Sequence, residues 1–238
     1  MASVALTGCR FAPAHRMTGP SATATTRSPT GATRRPPVKT LKTAVVRIGS
    51  KCVLDNDHAT VDQIRDAWLA GERIVVVHGA GDAPDVVNRT LVANLAAAGV
   101  AAVGLSGADL GLARSTPGTA RLDAVRLRRV LEEGSVAVLS PLSSSNGAPT
   151  PTCPDALAHA AAACLGADSL ELLGDALLAP RKDPETGKFM RPTKPVDQKR
   201  VEALLGRSDL DGDVRDRLVA ARAALLHGVR DVRLQLPV

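Results

Sequence analysis

A short apolar run that ends in closely spaced glycines, residues 73–81 (RIVVVHGAG), is the feature that most constrains the fold. Its β-branched residues, Ile74 to Val77, predict a strand buried on both faces, which is typical of parallel sheets. Gly79 and Gly81 allow the chain to turn tightly after this strand. Such a turn can simply reverse the chain, or it can present backbone N–H groups to a phosphate, and the sequence alone leaves both interpretations open.

A similar unit stands upstream, where residues 43–50 (TAVVRIGS) form an apolar run that ends at Gly49 and Ser50. Neighbouring parallel strands end at the same edge of a sheet. The two strand–glycine turns are therefore predicted to lie close enough to share one phosphate chain.

Apolar runs and amphipathic segments alternate along the rest of the chain. The predicted strands are 43–48, 73–78, 100–105, 136–139, 170–173 and 231–236, and the predicted helices are 60–70, 84–98, 122–133, 155–165, 197–205 and 211–227. Thr60 is the expected N-cap of the first helix, and residues 140–154 and 179–195 are expected loops. This alternation predicts an α/β fold with right-handed crossovers and a mostly parallel sheet.

Charge is distributed unevenly in this chain. Its net charge is +6, yet residues 1–54 contain nine Lys or Arg and no acidic residue, so the remainder is slightly acidic. Residues 1–40, rich in Ala, Thr, Ser, Pro and Arg, are predicted to be a disordered basic leader, and an organelle transit peptide has the same composition. The predicted folded domain is 41–238. With two Phe, one Trp and no Tyr, the chain has no stacking platform for bases, which argues against nucleic-acid binding.

The four cysteines and the apolar runs favour a cytoplasmic protein. The cysteines show no metal-ligand spacing, so reduced thiols and no metal site are expected. No apolar run approaches the length of a membrane span, so no membrane association is predicted.

The residues that follow the predicted strands are mostly glycine, serine and acidic residues. In open parallel sheets, ligands bind outside the carboxyl ends of the strands. Those ends carry Gly49 and Ser50, Gly79 to Gly81, Ser106 to Asp109, and Gly174 with Asp175. This composition indicates a site for a phosphorylated ligand.

The linear order of these pieces resembles the amino acid kinase family, and within it the acetylglutamate kinase and carrier-protein-linked aminoadipate kinase branch. The similar segments are 45–50 (VVRIGS), 75–81 (VVVHGAG), 87–92 (VNRTLV), 102–109 (AVGLSGAD), 155–158 (DALA), 172–175 (LLGD) and the helix 210–229. The resemblance covers roughly residues 43–236 and implies a three-layer α/β/α sandwich. It also implies an ATP-dependent enzyme that uses Mg²⁺ and phosphorylates the side-chain carboxylate of an N-blocked acidic amino acid, free or linked to a carrier protein. Family members often form dimers or hexamers, so the resemblance allows a homo-oligomer.

The family's site residues carry over onto specific positions. Two lysines that hold the transferring phosphoryl group correspond to Arg47 and Arg217, and the aspartate that organises them corresponds to Asp155. The nucleotide-binding positions correspond to Gly49, Ser50, Gly79, Ala80, Gly81, Gly174 and Asp175, and the substrate-binding positions to Asn88 and Gly107. Transfer of a phosphoryl group depends mostly on electrostatic stabilisation, which such a set of charges and backbone N–H groups can supply.

The chain also departs from the family pattern. Arginine replaces both lysines, Ser50 and Ala80 replace glycines, and Pro151 replaces the substrate-holding asparagine. The lid segment that usually follows the second glycine turn, with its substrate-binding arginine, is missing. The alternative interpretation is therefore a catalytically weak or inactive relative that acts as a nucleotide-binding regulatory or assembly subunit.

Several residues also have a simpler explanation. Asp155 has the position of an ordinary helix N-cap. Arg217 could belong to a solvated charged surface. Lys51 could substitute for the lost lysine or be a solvated charge, His78 could be a base or a packing residue, and Asp109 could contact a ligand or serve only its turn.

Overall fold

The computed structural model describes residues 41–54, 58–116, 119–145, 148–174, 181–182, 189–190, 193 and 195–235. The predicted leader, residues 1–40, lies outside the described residues and stays a prediction. The same holds for Asp175, which we predicted to bind the nucleotide.

Six parallel strands form the central sheet, in the spatial order β12-β9-β1-β2-β6-β3. They are β1 (Thr43–Ile48), β2 (Arg73–His78), β3 (Ala102–Ser106), β6 (Val136–Ser140), β9 (Ser169–Leu172) and β12 (Asp231–Leu234). The register pairs Arg47 with Val77 and Ile48 with His78, so β1 and β2 end level with each other. Gly49 and Gly79 consequently follow the two strands at the same height of the sheet.

Seven helices are seen in the described part of the chain. They are α1 (Ser50–Leu54), α2 (His58–Leu69), α3 (Pro84–Ala97), α4 (Ala124–Glu132), α5 (Pro154–Leu165), α6 (Gln198–Leu205) and α7 (Gly212–Leu226). Apolar residues of α1, α2 and α3 form one core with one face of the sheet. Those of α4, α5, α6 and α7 form a second core with the other face. The predicted three-layer α/β/α sandwich with a mostly parallel sheet is confirmed.

Alternation along each strand decides which layer a side chain joins. In β1, Val45 packs in the core of α5 and α7, whereas Ile48 packs in the core of α2 and α3. In β2, Ile74 to Val77 are at most 2% exposed, as expected of a strand covered on both faces.

A second, four-stranded sheet lies outside the central one, in the order β5-β4-β7-β8. It consists of β4 (Ala113–Thr116), β5 (Thr119–Leu122), β7 (Leu142–Ser145) and β8 (Ala148–Pro151), and a 3-10 turn (Asp109–Gly111) precedes it. The prediction of a loop over 140–154 is therefore wrong, because β7 and β8 form a hairpin there. Pro149 and Pro151 are tolerated because β8 is an edge strand, where a backbone N–H is dispensable.

Two further sequence predictions need correction. Thr60 is not the N-cap of α2, because the helix already begins at His58. Within the predicted loop 179–195, two short strands, β10 (Arg181–Lys182) and β11 (Phe189–Met190), pair antiparallel. Across the residues that the structure describes, no helix is long and apolar enough to span a bilayer.

Candidate functional site

The two strand–glycine turns meet at the carboxyl edge of the sheet. Gly79 N–H donates to the carbonyl of Ile48, the last residue of β1, at 2.8 Å. A Cβ added to Gly79 would lie 2.8 Å from the backbone N of Ser50, so only glycine permits this approach. Gly81 has a φ of +54°, in the left-handed region, and is likewise packed against Ser50. The turns thus adjoin each other as the sequence predicted.

Ser50 occupies the gap between these turns. A Cβ built on Gly81 would be 3.3 Å from Ser50 Cβ and 3.4 Å from its Oγ. In the family pattern a glycine stands at this position, so the serine side chain takes up room beside the backbone N–H groups. Ala80, the other replacement, is exposed.

Arg47, Asp155 and Arg217 come together next to these turns, although they are far apart in sequence. Arg47 Nε lies 3.4 Å from Asp155 Oδ1, and Arg217 Nε lies 3.9 Å from the same oxygen. Arg47 is on β1, Asp155 is in the first turn of α5, and Arg217 is in α7. All three residues are at least nine-tenths buried. The structure therefore brings together the three residues that the resemblance assigned to phosphoryl transfer.

Both arginines also brace the ends of neighbouring strands. Arg47 Nη1 donates to the carbonyl of Leu173 at 2.6 Å, and Arg217 Nη1 donates to the carbonyl of Gln235 at 2.9 Å. Leu173 follows β9 and Gln235 follows β12, so the guanidinium groups tie β1 and α7 to the edge of the sheet. A lysine would have to make both contacts from one ammonium nitrogen, whereas the guanidinium makes them from two nitrogens in fixed directions.

Burial has the largest effect on the pKa of Asp155. Loss of solvent raises the pKa of this carboxyl above its ordinary value, while the positive charges of Arg47 and Arg217 act in the opposite direction. The exposed Asp213 and Asp216 add to the upward shift. The carboxyl group therefore takes up a proton more readily than an exposed aspartate does.

Asp155 is not a helix cap. Cys153 occupies the N-cap position of α5, and Pro154 is the first helical residue. The Asp155 side chain instead points to the two arginines, so the simple capping explanation is wrong.

Arg217 does not belong to a solvated face, because it is 7% exposed whereas Arg215 and Arg222 of the same helix are exposed. Lys51, in contrast, is exposed in α1.

Gly174 leaves room for the Arg217 guanidinium. A Cβ at this position would be 3.3 Å from Arg217 Nη1 and 3.4 Å from Nη2. Gly174 N–H donates to Gln235 Oε1 at 2.9 Å, and Cys52 Sγ donates weakly to the Gly174 carbonyl at 3.7 Å. Sequence reasoning missed Gln235 because the predicted last strand, 231–236, contained it, whereas β12 ends at Leu234.

His78 and Asn88 tie α3 to the sheet. His78 Nδ1 donates to the Gly79 carbonyl at 2.7 Å, and its Nε2 accepts from Asn88 Nδ2 at 3.3 Å. Asn88 Nδ2 also donates to the carbonyl of Val138 at 3.0 Å. Burial lowers the pKa of His78, which fits a neutral imidazole with both nitrogens engaged, as the packing interpretation expects. Asn88, our predicted substrate ligand, is buried with its amide N–H groups bound inside the protein.

Gly107 lies where the chain leaves β3. A Cβ at this position would collide with the carbonyl of Leu142 and approach Ala113 Cβ to 2.8 Å, so the second sheet packs directly on this glycine. Asp109 Oδ2 accepts from Ser106 N–H at 2.6 Å, which is ordinary turn chemistry. Pro151, which replaces the family's asparagine, is the last residue of β8 and has no backbone donor.

The connection between β2 and α3 consists of residues 79–83 alone. This is the place where the family pattern has its lid segment and substrate-binding arginine. The short connection leaves the glycine turn directly in front of α3, without a hairpin above it.

A sequence profile of the amino acid kinase family matches residues 82–234, which is more than half of the chain. The chain therefore belongs to the amino acid kinase family. No protein of curated function matches its sequence significantly.

Solved structures show the same fold at low sequence identity. N-acetylglutamate synthase from Neisseria gonorrhoeae, complexed with coenzyme A and N-acetyl-glutamate, is 20% identical with a TM-score of 0.62, over 81% of this chain and 54% of the synthase. The chain thus spans about half the length of that protein. The protein smu.665 from Streptococcus mutans UA159 is 18% identical with a TM-score of 0.63, over 81% of this chain and 94% of that one. Carbamate kinase from Giardia lamblia bound to AMP-PNP is 11% identical with a TM-score of 0.56, over 82% and 98%.

Proposed function

We propose that this protein is an ATP-dependent carboxylate kinase whose phosphoryl site is the edge formed by the two glycine turns and the Arg47–Asp155–Arg217 cluster. The observation that carries the proposal is the convergence of both arginines on one oxygen of Asp155, at 3.4 and 3.9 Å, beside the turns. Membership of the amino acid kinase family supports it.

Each residue of the site would have a separate role in phosphoryl transfer. The two guanidinium groups place positive charge where negative charge is transferred between donor and acceptor oxygens. Asp155 fixes the orientation of both arginines, and the N–H groups of the turns surround phosphate oxygens. Gly174, packed against Arg217, would border the nucleotide. Asn88 and Gly107, for which substrate binding was predicted, are instead engaged in contacts within the protein.

The site is compatible with ATP, which would supply the phosphoryl group. Arg47 Nε and Asp155 Oδ1 are buried and lie 3.4 Å apart as an ion pair, without a hydrogen bond within the described residues, so the positive charge of Arg47 is held by a long contact. Gly49, Ser50, Gly79, Ala80 and Gly81 would hold the phosphates. No group of three or more His, Cys, Asp or Glu that could hold a metal is found in the described parts of the chain. Mg²⁺ would therefore enter with the phosphates of ATP.

The substrate class follows from the resemblance to the acetylglutamate kinase branch: the side-chain carboxylate of an N-blocked acidic amino acid, free or carrier-linked. A cytoplasmic location and a homo-oligomer belong to the same proposal. The short connection of residues 79–83 argues that the α-carboxylate of such a substrate is held by groups other than a lid arginine.

A second candidate is a nucleotide-binding subunit without transferase activity, with a regulatory or assembly role. It is favoured by the hydrogen bonds from Arg47 to Leu173 and from Arg217 to Gln235, which use guanidinium donors for the fold. Ser50 between the turns favours it as well, because its side chain takes room beside the phosphate-facing N–H groups.

Calorimetric titration of Mg-ATP into the full chain tests both candidates, and trapping of acyl phosphate with hydroxylamine in the presence of N-acetyl-glutamate then separates them. Binding with turnover supports the kinase, and binding without turnover supports the second candidate. Absence of binding at millimolar nucleotide contradicts both.

Gly79→Ala should abolish binding because its Cβ would meet Ser50 N. Arg65→Lys, at a partly exposed position of α2, serves as the control.

The double variant Arg47→Lys with Arg217→Lys tests the cause of an inactive wild type. If it acquires phosphoryl transfer that the wild type lacks, the arginine replacements account for the loss. If the wild type already phosphorylates an acylated acidic amino acid, the second candidate is wrong.

A further inference from the structure

A slot lies between α2 and the central sheet, on the face opposite the Arg47–Asp155–Arg217 cluster. Its volume is about 420 Å³, within the range of small-molecule sites. Its walls are mostly apolar, and its lining includes three acidic residues, Asp66, Glu72 and Glu171, and no basic residue.

Glu171 is the unusual member of this lining. It lies in β9, between two other strands of the sheet, and is 7% exposed. A buried carboxylate loses its hydration and normally needs a positive partner. The described structure gives it one hydrogen bond, from Thr193 Oγ1 to Glu171 Oε1 at 2.7 Å, and no ion pair.

The cation nearest in the sheet is engaged elsewhere. Arg233 of β12 is paired in register with Glu171. Its Nε donates to both oxygens of Asp231, at 2.9 and 3.1 Å, and its Nη1 donates to the Thr193 carbonyl at 2.8 Å. On the other side of Glu171 the register partner is Val46, which is apolar. Arg233 therefore lies beside Glu171 in the sheet, but its hydrogen bonds go to Asp231 and Thr193, and Glu171 has no ion pair within the described residues.

The chemistry of a ligand for this slot follows from its lining. Glu171 at the buried end attracts a cationic head group with hydrogen-bond donors. Apolar side chains of Val46, Ile64 and Ile74 would contact an aliphatic stem. Asp66, which accepts from Arg65 Nη2 at 3.5 Å, is exposed and adds negative charge at the outer end.

We propose that the slot between α2 and the sheet binds an alkylammonium group, meaning a primary amine on a short aliphatic chain, with Glu171 as its counter-ion. This site is separate from the proposed phosphoryl site, because Val46 and Arg47 are successive residues of β1 and face opposite layers. It uses none of the residues that would hold ATP.

Isoleucine-methyl NMR of the full chain tests this proposal. The protein has three isoleucines; Ile64 and Ile74 line the slot, while Ile48 packs in the same core without lining it. Addition of n-pentylamine should shift the signals of Ile64 and Ile74 in a saturable way and more strongly than the signal of Ile48. Binding of Mg-ATP is measured separately by calorimetry, so the two proposals succeed or fail independently.

Two comparisons then test the role of charge, and a third tests whether the ligand lies in the slot. The uncharged 1-pentanol should bind at least about tenfold more weakly than n-pentylamine, and so should n-pentylamine to Glu171→Gln, because a charge-assisted hydrogen bond is lost. Ala67→Leu should weaken binding by filling the slot, whereas Ala93→Leu, on the exposed side of α3, should not.

The proposal is overturned if n-pentylamine and 1-pentanol bind equally, or if neither shifts Ile64 and Ile74 at tens of millimolar. If Glu171→Gln does not fold, the comparison of amine with alcohol and the Ala67→Leu variant still decide the matter.

Discussion

Arginine and lysine are not equivalent at the two positions that face Asp155. A lysine ammonium is a compact charge on a flexible stem, whereas a guanidinium is a planar group with donors in fixed directions. Arg47 uses this geometry to contact Asp155 and the Leu173 carbonyl at the same time. The replacements therefore keep positive charge at the edge of the sheet and add a structural hydrogen bond to it.

Arg47→Met should lower the free energy of unfolding by about 2–3 kcal/mol, because a buried charge-assisted hydrogen bond to the Leu173 carbonyl is lost and Asp155 keeps one cation instead of two. Urea denaturation at pH 7 measures the change. Arg65→Met is the matched control, since its ion pair with Asp62 is partly exposed and should contribute about 1 kcal/mol or less. Equal losses in both variants would contradict the bracing role of Arg47.

At the level of elements, α3 and β3 pack through one glycine. A Cβ on Gly104 of β3 would collide with Oδ1 of Asn88, whose Nδ2 is held by Val138 and His78. The helix can therefore approach the sheet closely only because residue 104 has no side chain.

Gly104→Ala should destabilise the protein by about 1–3 kcal/mol, the usual range for an overpacked core. Asn88→Ala removes the obstacle but also loses hydrogen bonds, so the double variant should be less destabilised than the sum of the two single variants. Thermal unfolding of the four proteins gives the coupling. Gly206→Ala, whose Cβ would make only ordinary contacts at 3.6 Å, should change stability little. Strict additivity would show that Asn88 moves aside at no cost.

The sequence predicted the central sheet well because its strands carry a strong signal. Runs such as Ile74 to Val77 are apolar throughout, and a glycine in the left-handed region follows several helices, as at Gly71 and Gly99. The second sheet was missed because its strands are polar and short. In β7 and β8 the residues are mostly Ser, Thr and Pro, which favour loops in isolation, and the pairing of these strands with each other and with β4 decides their structure.

Only those parts of the candidate site that directly follow a predicted strand could be predicted from the sequence. Glycine turns and acidic residues at those ends indicated the edge of the sheet at which the Arg47–Asp155–Arg217 cluster lies. The burial of Arg217 depends on how α5 and α7 pack together, and local sequence rules contain no information about that packing, so they allowed Arg217 to belong to a solvated surface. The N-cap at Cys153 could have been predicted, because Pro154 is favoured at the first helical position.

At the scale of the whole molecule, two histidines link stability to pH. Burial lowers the pKa of His78 and of His159 below the usual value, and the neighbouring His227 adds to the shift at His159. His227 Nδ1–H points to the Ala223 carbonyl at 2.8 Å and lies 3.2 Å from His159 Nε2, which accepts. Protonation of His159 would remove that acceptor and place a positive charge between α5 and α7.

The contribution of these two histidines to stability should be greatest above pH 6.5 and should fall as the pH decreases below it, whereas the raised pKa of Asp155 acts in the opposite direction. The unfolded chain takes up protons first, because its histidines have the ordinary pKa of about 6.5 while the folded ones are lower. Each additional proton bound by the unfolded chain changes the free energy of unfolding by up to about 1.4 kcal/mol per pH unit. His159 should contribute less than His78 because solvent screens its partly exposed ring.

Urea denaturation between pH 5 and 8 measures this dependence. His159→Gln should flatten the curve in part. A curve of the same slope in His159→Gln and in the wild type would contradict the assigned direction at His159.

The alternation of β1 also limits how this chain can evolve. Val46 and Arg47 are adjacent in sequence, yet one lines the slot below α2 and the other belongs to the cluster with Asp155. Substitutions at either position alter one side of the sheet and leave the other intact. Insertion or deletion of a single residue within the strand would exchange the two, placing a guanidinium among apolar side chains and leaving Asp155 without it. Homologous proteins should therefore vary in the identity of these residues while conserving the length of this strand.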